Sequence, residues 1–325
     1  MLAVAQVLEG GSWRGRAGPL LRAMSSLWER ASGASLVRRL EWPAHVRVVA
    51  VGGATLGGSG KTPLAMACAA YLAGAGARTV LVGHAYRARP GHARVVCPDD
   101  RVADVGDEAL LAARELRGTG ARVVVAPGRA EAVALAARIA NVVVLDGVAQ
   151  TAPVRASLAL LAVDALEPWG AARAAPPCGD LKAAPRALLA ACDLVVPLGD
   201  GPCADPGATR VLSRGAWVDE GKLLTWRALR ETRLGLFVAM ARPERVLRSL
   251  AARGLTPRAV VRVRDHGPLG VRAARALAQA SREVDLWVAS PKCALHLWGA
   301  RVATLDHRVV LPAALCSRLA RLAVP

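Results

Sequence analysis

Residues 45–63 read HVRVVAVGGATLGGSGKTP. His45 to Val51 form a β-branched, mostly apolar run, as a strand buried on both faces should. Five glycines then fall between positions 52 and 60, ahead of Lys61-Thr62-Pro63 and an Ala/Leu-rich stretch of helical character from Thr62 to Ala73. Strand, glycine-rich turn, Lys-Thr and helix together describe a loop that cradles phosphate. Glycines let successive backbone N–H groups face the anion, and the helix N-terminus adds the positive end of its dipole. Lys61 is placed to reach the β- and γ-phosphates of a nucleotide, and the Thr62 hydroxyl to ligate Mg²⁺. The strict pattern GxxxxGK[ST] has glycine where Thr55 stands, so the loop is a variant. Its candidate nucleotide-binding residues are Thr55, Gly57, Gly58, Ser59, Gly60, Lys61 and Thr62. A dinucleotide-binding turn would need neither the lysine nor the threonine.

Around this loop the chain alternates short β-branched runs with helical stretches. Strands are predicted at 79–82, 122–126, 142–145, 158–163 and 194–196, and helices at 107–117 and 130–140. This order specifies a parallel sheet covered on both faces. Pro, Gly and Ala break the alternation from Glu167 to Pro185, as an active-site loop or a domain joint would. A second α/β pattern follows, with strands at 236–240, 259–263 and 286–289 and helices at 243–253 and 271–280. The expected fold class is therefore α/β: a doubly wound parallel sheet of the phosphate-loop NTPase type with a second, smaller α/β domain. The expected division is a kinase-type domain over 1–186 and a smaller domain over 187–299, with the tail 300–325 packing back on the first.

Composition narrows the function. The chain has 325 residues, 54% hydrophobic and 21% charged, which excludes global disorder. Its seven cysteines include no CxxC pair, which argues against a disulfide scaffold or a zinc site and fits a reducing cytoplasm. All but four of the 43 basic residues are arginine, the signature of GC-rich coding, and the net charge is +18. Such a charge favours anionic partners. Aromatics make up only 3%, too few for base stacking, so no nucleic-acid partner is expected. No apolar run is long enough to span a bilayer, and the start MLAVAQVLEGG lacks the basic region of a signal peptide. Leu20, Leu21, Met24, Leu27, Trp28 and Ala31 recur at helical spacing, with Arg22, Arg30, Arg38 and Arg39 around or after them. On that pattern alone a core-packing helix with a solvated far side is favoured over an interfacial helix.

A phosphate-loop enzyme also needs an acid at the end of a neighbouring strand to hold Mg²⁺. Val142-Val143-Val144-Leu145-Asp146 supplies one, although an Asp in a strand-end turn is common.

The loop Gly52–Pro63 resembles the GNxTxGGTGKTP loop of the tetraacyldisaccharide 4'-kinase family. Pro19–Trp28 resembles the family's N-terminal membrane-associating segment. Gly106-Asp107-Glu108 is similar to its Gly-Asp-Glu-Pro motif, Asp146-Gly147 falls at its Asp-Asp, Asp265-His266 at its Asp-His, and Ser290-Pro291-Lys292-Cys293 at its Thr-Glu-Lys-Asp. The resemblance implies a kinase that uses ATP and Mg²⁺ to phosphorylate the 4'-hydroxyl of a lipid disaccharide 1-phosphate. It further implies a monomer lying peripherally on the anionic inner face of the cytoplasmic membrane. Carried over, Asp107 and His266 are the acid–base pair, Lys61 and the loop hold ATP, and Thr62, Asp146 and Glu108 serve the metal. There are departures. The family's second Asp is Gly147, the Glu after its Leu-Arg is Ala183, that Arg is Lys182, and the Ser-Arg-Gly-Tyr motif is Gly83-His84-Ala85-Tyr86. These losses keep open a divergent member with weak or no transfer, and a phosphate-loop ATPase or small-molecule kinase of another family stands beside it.

Overall fold

The structure, a computed structural model, describes residues 18–85, 88–200, 209–212, 214–218, 221–240, 243–263, 270–297 and 301–324. The strands, in chain order, are β1 (Val37–Leu40), β2 (Arg47–Gly53), β3 (Thr79–Val82), β4 (Arg94–Val95), β5 (Arg122–Val125), β6 (Val142–Asp146), β7 (Gln150–Pro153), β8 (Leu158–Asp164), β9 (Leu194–Asp200), β10 (Thr209–Leu212), β11 (Gly215–Val218), β12 (Lys222–Thr225), β13 (Leu234–Val238), β14 (Ala259–Arg262), β15 (Leu286–Ala289), β16 (Val302–Leu305) and β17 (Arg308–Val310). The helices are α1 (Gly18–Ser32), α2 (Lys61–Gly74), α3 (Val102–Val105), α4 (Asp107–Glu115), α5 (Arg129–Ile139), α6 (Pro185–Ala191), α7 (Trp226–Arg230), α8 (Pro243–Ala251), α9 (Val271–Ala280), α10 (Pro291–Ala294) and α11 (Ala313–Ala323).

The larger sheet has the order β17-β10-β9-β8-β2-β6-β3-β5-β4 and is parallel except at its two edges, β4 and β17. Alternation within its strands separates two cores. Val49 and Val51 face Leu64, Leu72 and Leu110 of α2 and α4, joined by Leu315 and Leu319 of α11. Val48 and Ala50 face Val133 and Ala136 of α5. Both faces are covered, which is why the strands lack any polar stripe. β2 lies between β6 and β8, with β3 reached on one side and β9 on the other, so the chain reverses direction across the sheet at the glycine loop. Open parallel sheets bind ligands at that switch point, beyond the carboxyl ends of the strands.

The smaller sheet, β12-β11-β16-β15-β13-β14, carries the second α/β pattern, and Phe237 and Trp287 fill one of its faces. The expected boundary at 186/187 needs correction: β9 and β10 lie beyond it yet pair into the larger sheet. The tail is shared, since β16 belongs to the smaller sheet while β17 joins the larger one. The physical reason is that β8 needs a parallel neighbour on its outer side, and β9 is the next apolar run able to supply it.

α1 departs from the core-packing expectation. Leu20, Met24 and Leu27 are 66%, 48% and 64% exposed, while the polar Ser25 is buried. The helix is held by polar bonds instead. Ser25 Oγ donates to the Ala175 carbonyl at 2.8 Å and accepts from the Cys178 N–H at 3.2 Å, and Glu29 accepts from the Ala175 N–H at 3.2 Å.

Candidate active site

The loop after β2 folds back on the start of α2. Gly58 and Gly60 hold φ of 73° and 81°, a left-handed backbone open to glycine at little cost. At Gly53 a methyl group would stand 2.1 Å from Ser59 Oγ and 3.2 Å from its Cβ, so a side chain there would require Ser59 to move. Thr55, the departure from the strict loop pattern, is buried, and its hydroxyl donates to the Gly57 carbonyl at 2.8 Å. The side chain thus braces the loop from inside. The Pro/Gly/Ala segment expected as an active-site loop or domain joint lies against it: the Leu56 N–H donates to the Asp180 carbonyl and the Lys182 N–H to the Ala54 carbonyl, both at 2.8 Å. No side chain caps α2, so its leading N–H groups turn toward the loop.

Asp146 ends β6 opposite Val51 of β2. It is buried, and Thr62 Oγ1 donates to its Oδ2 at 2.7 Å. Its Oδ1 has no hydrogen-bond partner among the described residues. Burial, and then the charge of Glu108, push the carboxyl up to about 6 against the pull of Lys61, the Thr62 hydrogen bond and Arg129. Two cations that sequence reasoning did not assign to the site, Arg129 and Lys182, act on this acid. Arg129 Nη1 donates to the Asp146 carbonyl at 2.8 Å. Lys182 is pushed down to about 8 by burial, and then by Lys61, Arg38 and Arg129. Burial also lowers Arg129, with Arg38 adding to the fall.

Asp107 starts α4 and is buried, its Oδ1 accepting the Glu108 N–H at 2.8 Å. His266, its expected partner, lies outside the described residues, as do Asp265 and Tyr86. A different histidine stands beside Asp107: His296 Nε2 is 3.8 Å from Oδ2, and both side chains are buried. Glu108, half-buried, acts on Asp146 through its charge. Of the positions departing from the family pattern, Cys293 is a core residue whose sulfur accepts the Ala239 N–H at 3.2 Å. Ala183 is likewise buried among apolar side chains. Gly147 has φ of 79°, which fits glycine. Asp164 at the end of β8 and Asp104 on α3 do not replace a second acid at Gly147. Asp104 is exposed on α3, and Asp164 is occupied by an arginine from the smaller sheet.

That arginine is Arg245 on α8. Its Nε lies 2.9 Å from Asp164 Oδ2, and its Nη1 donates to the Gly58 carbonyl at 2.5 Å. The other oxygen of Asp164 accepts the N–H groups of Leu166 and Glu167 at 2.8 and 3.2 Å. One side chain thus joins α8 to the crest of the glycine loop and to the end of β8. No local signal singles out Arg245 in a chain so rich in arginine.

Known proteins resemble the chain in sequence and in fold. The family model described as tetraacyldisaccharide-1-P 4'-kinase matches residues 18–322. A tetraacyldisaccharide 4'-kinase of Bradyrhizobium sp. (strain ORS 278) is 34% identical over 298 residues, covering 89% of this chain and 85% of that protein. The protein of the same name from Syntrophotalea carbinolica is 32% identical over 268 residues, 78% of this chain and 74% of that one. Among solved structures, LpxK from Aquifex aeolicus in complex with ATP superposes with a TM-score of 0.66, covering 94% of this chain and 99% of that chain at 18% identity, a likeness of fold. The match of the family model over nearly the whole chain, and relatives above 30% identity over most of their length, place the chain in the tetraacyldisaccharide-1-P 4'-kinase family.

Proposed function

We propose that the chain transfers the γ-phosphate of ATP to the 4'-hydroxyl of a tetraacyldisaccharide 1-phosphate. The observation that carries this reading is the Thr62–Asp146 pair at the foot of the glycine loop, with one buried carboxylate oxygen unsatisfied. A buried acceptor without a partner is costly. Here it faces the position where a phosphate-loop threonine and a strand-end acid hold a divalent cation. The donor set, one carboxylate and one hydroxyl, suits Mg²⁺, which binds through one or two protein oxygens plus phosphates and water. When bound, the ion supplies charge neutralisation between the transferring phosphoryl group and its leaving group.

The rest falls to the chain. Residues Thr55 to Gly60 shape the phosphate cradle, and Lys61 contributes its ammonium. Lys182 and Arg129 surround the same acid with further positive charge, where stabilisation of developing negative charge is the main catalytic contribution. Asp107 is the proposed orienting acid and His266 the proposed base for the attacking hydroxyl, since an imidazole beside a carboxylate accepts a proton near neutral pH. Glu108 serves the metal side through Asp146.

For a lipid acceptor, α1 supports a peripheral position on an anionic membrane surface. Leu20, Met24 and Leu27 face outward, Arg22 and Arg30 lie on exposed positions of the same helix, and arginines near an anionic leaflet contribute about 1 kcal/mol each. Among the described residues, no helix is long and apolar enough to cross a membrane.

The test is transfer from γ-labelled ATP to tetraacyldisaccharide 1-phosphate in mixed micelles with Mg²⁺, with Lys61→Ala and His266→Ala alongside. Product formation abolished by both variants supports the assignment. Wild-type protein that binds ATP but transfers nothing refutes it.

A further inference from the structure

We infer that His296 is a positioning residue for the transfer reaction. Its imidazole reaches across from the smaller sheet to hold Oδ2 of Asp107, the acid proposed to orient the base. This deepens the functional reading above and rests on it.

The acid is presented rigidly. Gly106, just ahead of it, holds φ of 88°, and a methyl group there would stand 3.3 Å from Ala85 Cα and 3.4 Å from the His84 carbonyl oxygen. The turn into α4 therefore lies close against the backbone of residues 84–85. Asp107 Oδ1 accepts the Glu108 N–H at 2.8 Å. Its Oδ2 faces His296 Nε2 at 3.8 Å, with 2% of the acid side chain and 5% of the imidazole exposed. An ionised carboxylate offers about four lone-pair sites, so bonds to Glu108 and His296 leave room for a base.

The imidazole is fixed from the other side. Ser290 caps α10, its hydroxyl accepting the Cys293 N–H at 3.3 Å. Cys293 is buried in the core of the smaller sheet, where its sulfur accepts the Ala239 N–H at 3.2 Å. The His296 N–H donates to the Cys293 carbonyl at 3.1 Å, and Leu297 packs into the same core. α10 in turn packs against α4. His296 Nε2 is buried and has no hydrogen-bond partner among the described residues. A buried polar nitrogen left unsatisfied is costly, and Asp107 Oδ2 is the acceptor beside it. The gap exceeds a hydrogen bond by roughly 1 Å and is too short for a water to stand between. Catalytic hydrogen bonds are often long in the free enzyme and tighten when the substrate complex forms. A donor at Oδ2 stabilises the buried charge of Asp107 and sets the plane of its carboxylate. A base hydrogen-bonded to that acid needs both. If His296 only filled core space, a ring of the same size would serve as well.

The test sets His296→Phe, which keeps a ring and removes the donor, against His296→Gln, whose amide N–H can replace it. The assay is transfer from Mg²⁺-ATP to tetraacyldisaccharide 1-phosphate in mixed micelles. In His296→Phe, kcat should fall about tenfold to a hundredfold, as for one lost hydrogen bond to an ion, with the KM for ATP within about twofold. His296→Gln should recover most of kcat. Tm should rank the opposite way, since phenylalanine suits apolar surroundings better than glutamine. In an Asp107→Asn background, His296→Phe should change kcat by less than about twofold. A His296→Phe enzyme with the kcat of wild type, or a His296→Gln enzyme no more active than His296→Phe, overturns the inference. A second measurement needs no turnover and no change at His296. In the full chain labelled with ¹⁵N-histidine and loaded with Mg²⁺-ATP, nuclear magnetic resonance should find the proton on His296 Nε2, and its signal should shift in Asp107→Asn. An unprotonated Nε2, or a signal indifferent to Asp107→Asn, also overturns the inference. Wild type that transfers nothing refutes the kinase reading, and the resonance measurement then decides this one.

Discussion

Asp146→Asn should separate stability from function at this site. The carboxyl is pushed up to about 6 from an ordinary value of 3.8, with burial the largest cause. A raised carboxyl means that the fold disfavours the ionised form. The stability contribution is complete below about pH 4 and is lost as pH rises through 6. At about 1.4 kcal/mol per unit, the ionised Asp146 costs the metal-free protein about 3 kcal/mol at pH 7.5. An amide of the same shape can still accept the Thr62 hydrogen bond and carries no charge. In EDTA at pH 7.5 the variant should therefore be the more stable, by about 4 °C in Tm for a chain of this size. By pH 5 wild-type Asp146 is mostly protonated, and the gap should roughly halve. Addition of Mg²⁺ and ATP should raise the Tm of wild type and leave the variant nearly unmoved, with transfer lost in the variant. Calorimetric melts at the two pH values, with and without Mg²⁺-ATP, provide the measurement. A variant less stable than wild type in EDTA at pH 7.5, or a gap independent of pH, would refute the reasoning.

Three further outcomes are expected. Gly53→Ala puts a methyl group 2.1 Å from Ser59 Oγ and 3.4 Å from Lys61 Cδ, so both side chains must move, and ATP affinity measured by titration calorimetry should fall by about tenfold while the far-UV circular dichroism is unchanged. Leu20→Ser/Leu27→Ser removes apolar surface that the fold does not use, so Tm should hold within about 2 °C. Flotation with anionic vesicles should fall about tenfold or more. Arg245→Ala leaves the buried Asp164 without its cation, and Tm should drop by about 2–4 °C together with a weakened ATP KM. Adding Asp164→Asn should restore the Tm but not the KM.

The strands of the larger sheet were legible because a parallel strand covered on both faces must be apolar throughout. Val142–Leu145 and Thr79–Val82 can be read as little else. The glycine loop was legible because its chemistry is local: glycines, lysine and threonine are contiguous. What surrounds it was not. β1 is Val-Arg-Arg-Leu and β7 is Gln-Thr-Ala-Pro, short strands of a separate two-stranded sheet with no periodicity, yet β1 places Arg38 where it acts on Lys182 and Arg129. α1 has the spacing of a core helix and turns that face outward, because Ser25 and Glu29 bind the 175–178 segment more specifically than its leucines pack against anything. Arg245 and His296 come from the smaller sheet, and only tertiary structure sets them beside Gly58 and Asp107. Departures such as Cys293 and Ala183 look like lost catalytic groups in the sequence. In the fold they are core residues, and their apolar packing explains why they stay.

The contacts between the two sheets share a character that bears on how the site works. Arg245 holds Gly58 and Asp164, Arg248 lies 3.8 Å from Glu167, and His296 lies 3.8 Å from Asp107. Each joins a side chain of the smaller unit to a group at, or a few residues from, a proposed functional residue. All are polar, and the Arg248–Glu167 pair, partly exposed on both sides, is worth little by itself. Their placement makes separation consequential. Moving α8 away releases the crest of the phosphate loop, and moving α10 away leaves Asp107 without its neighbouring imidazole. Separation of α8 from the glycine loop and of His296 from Asp107 would therefore be felt at both groups together.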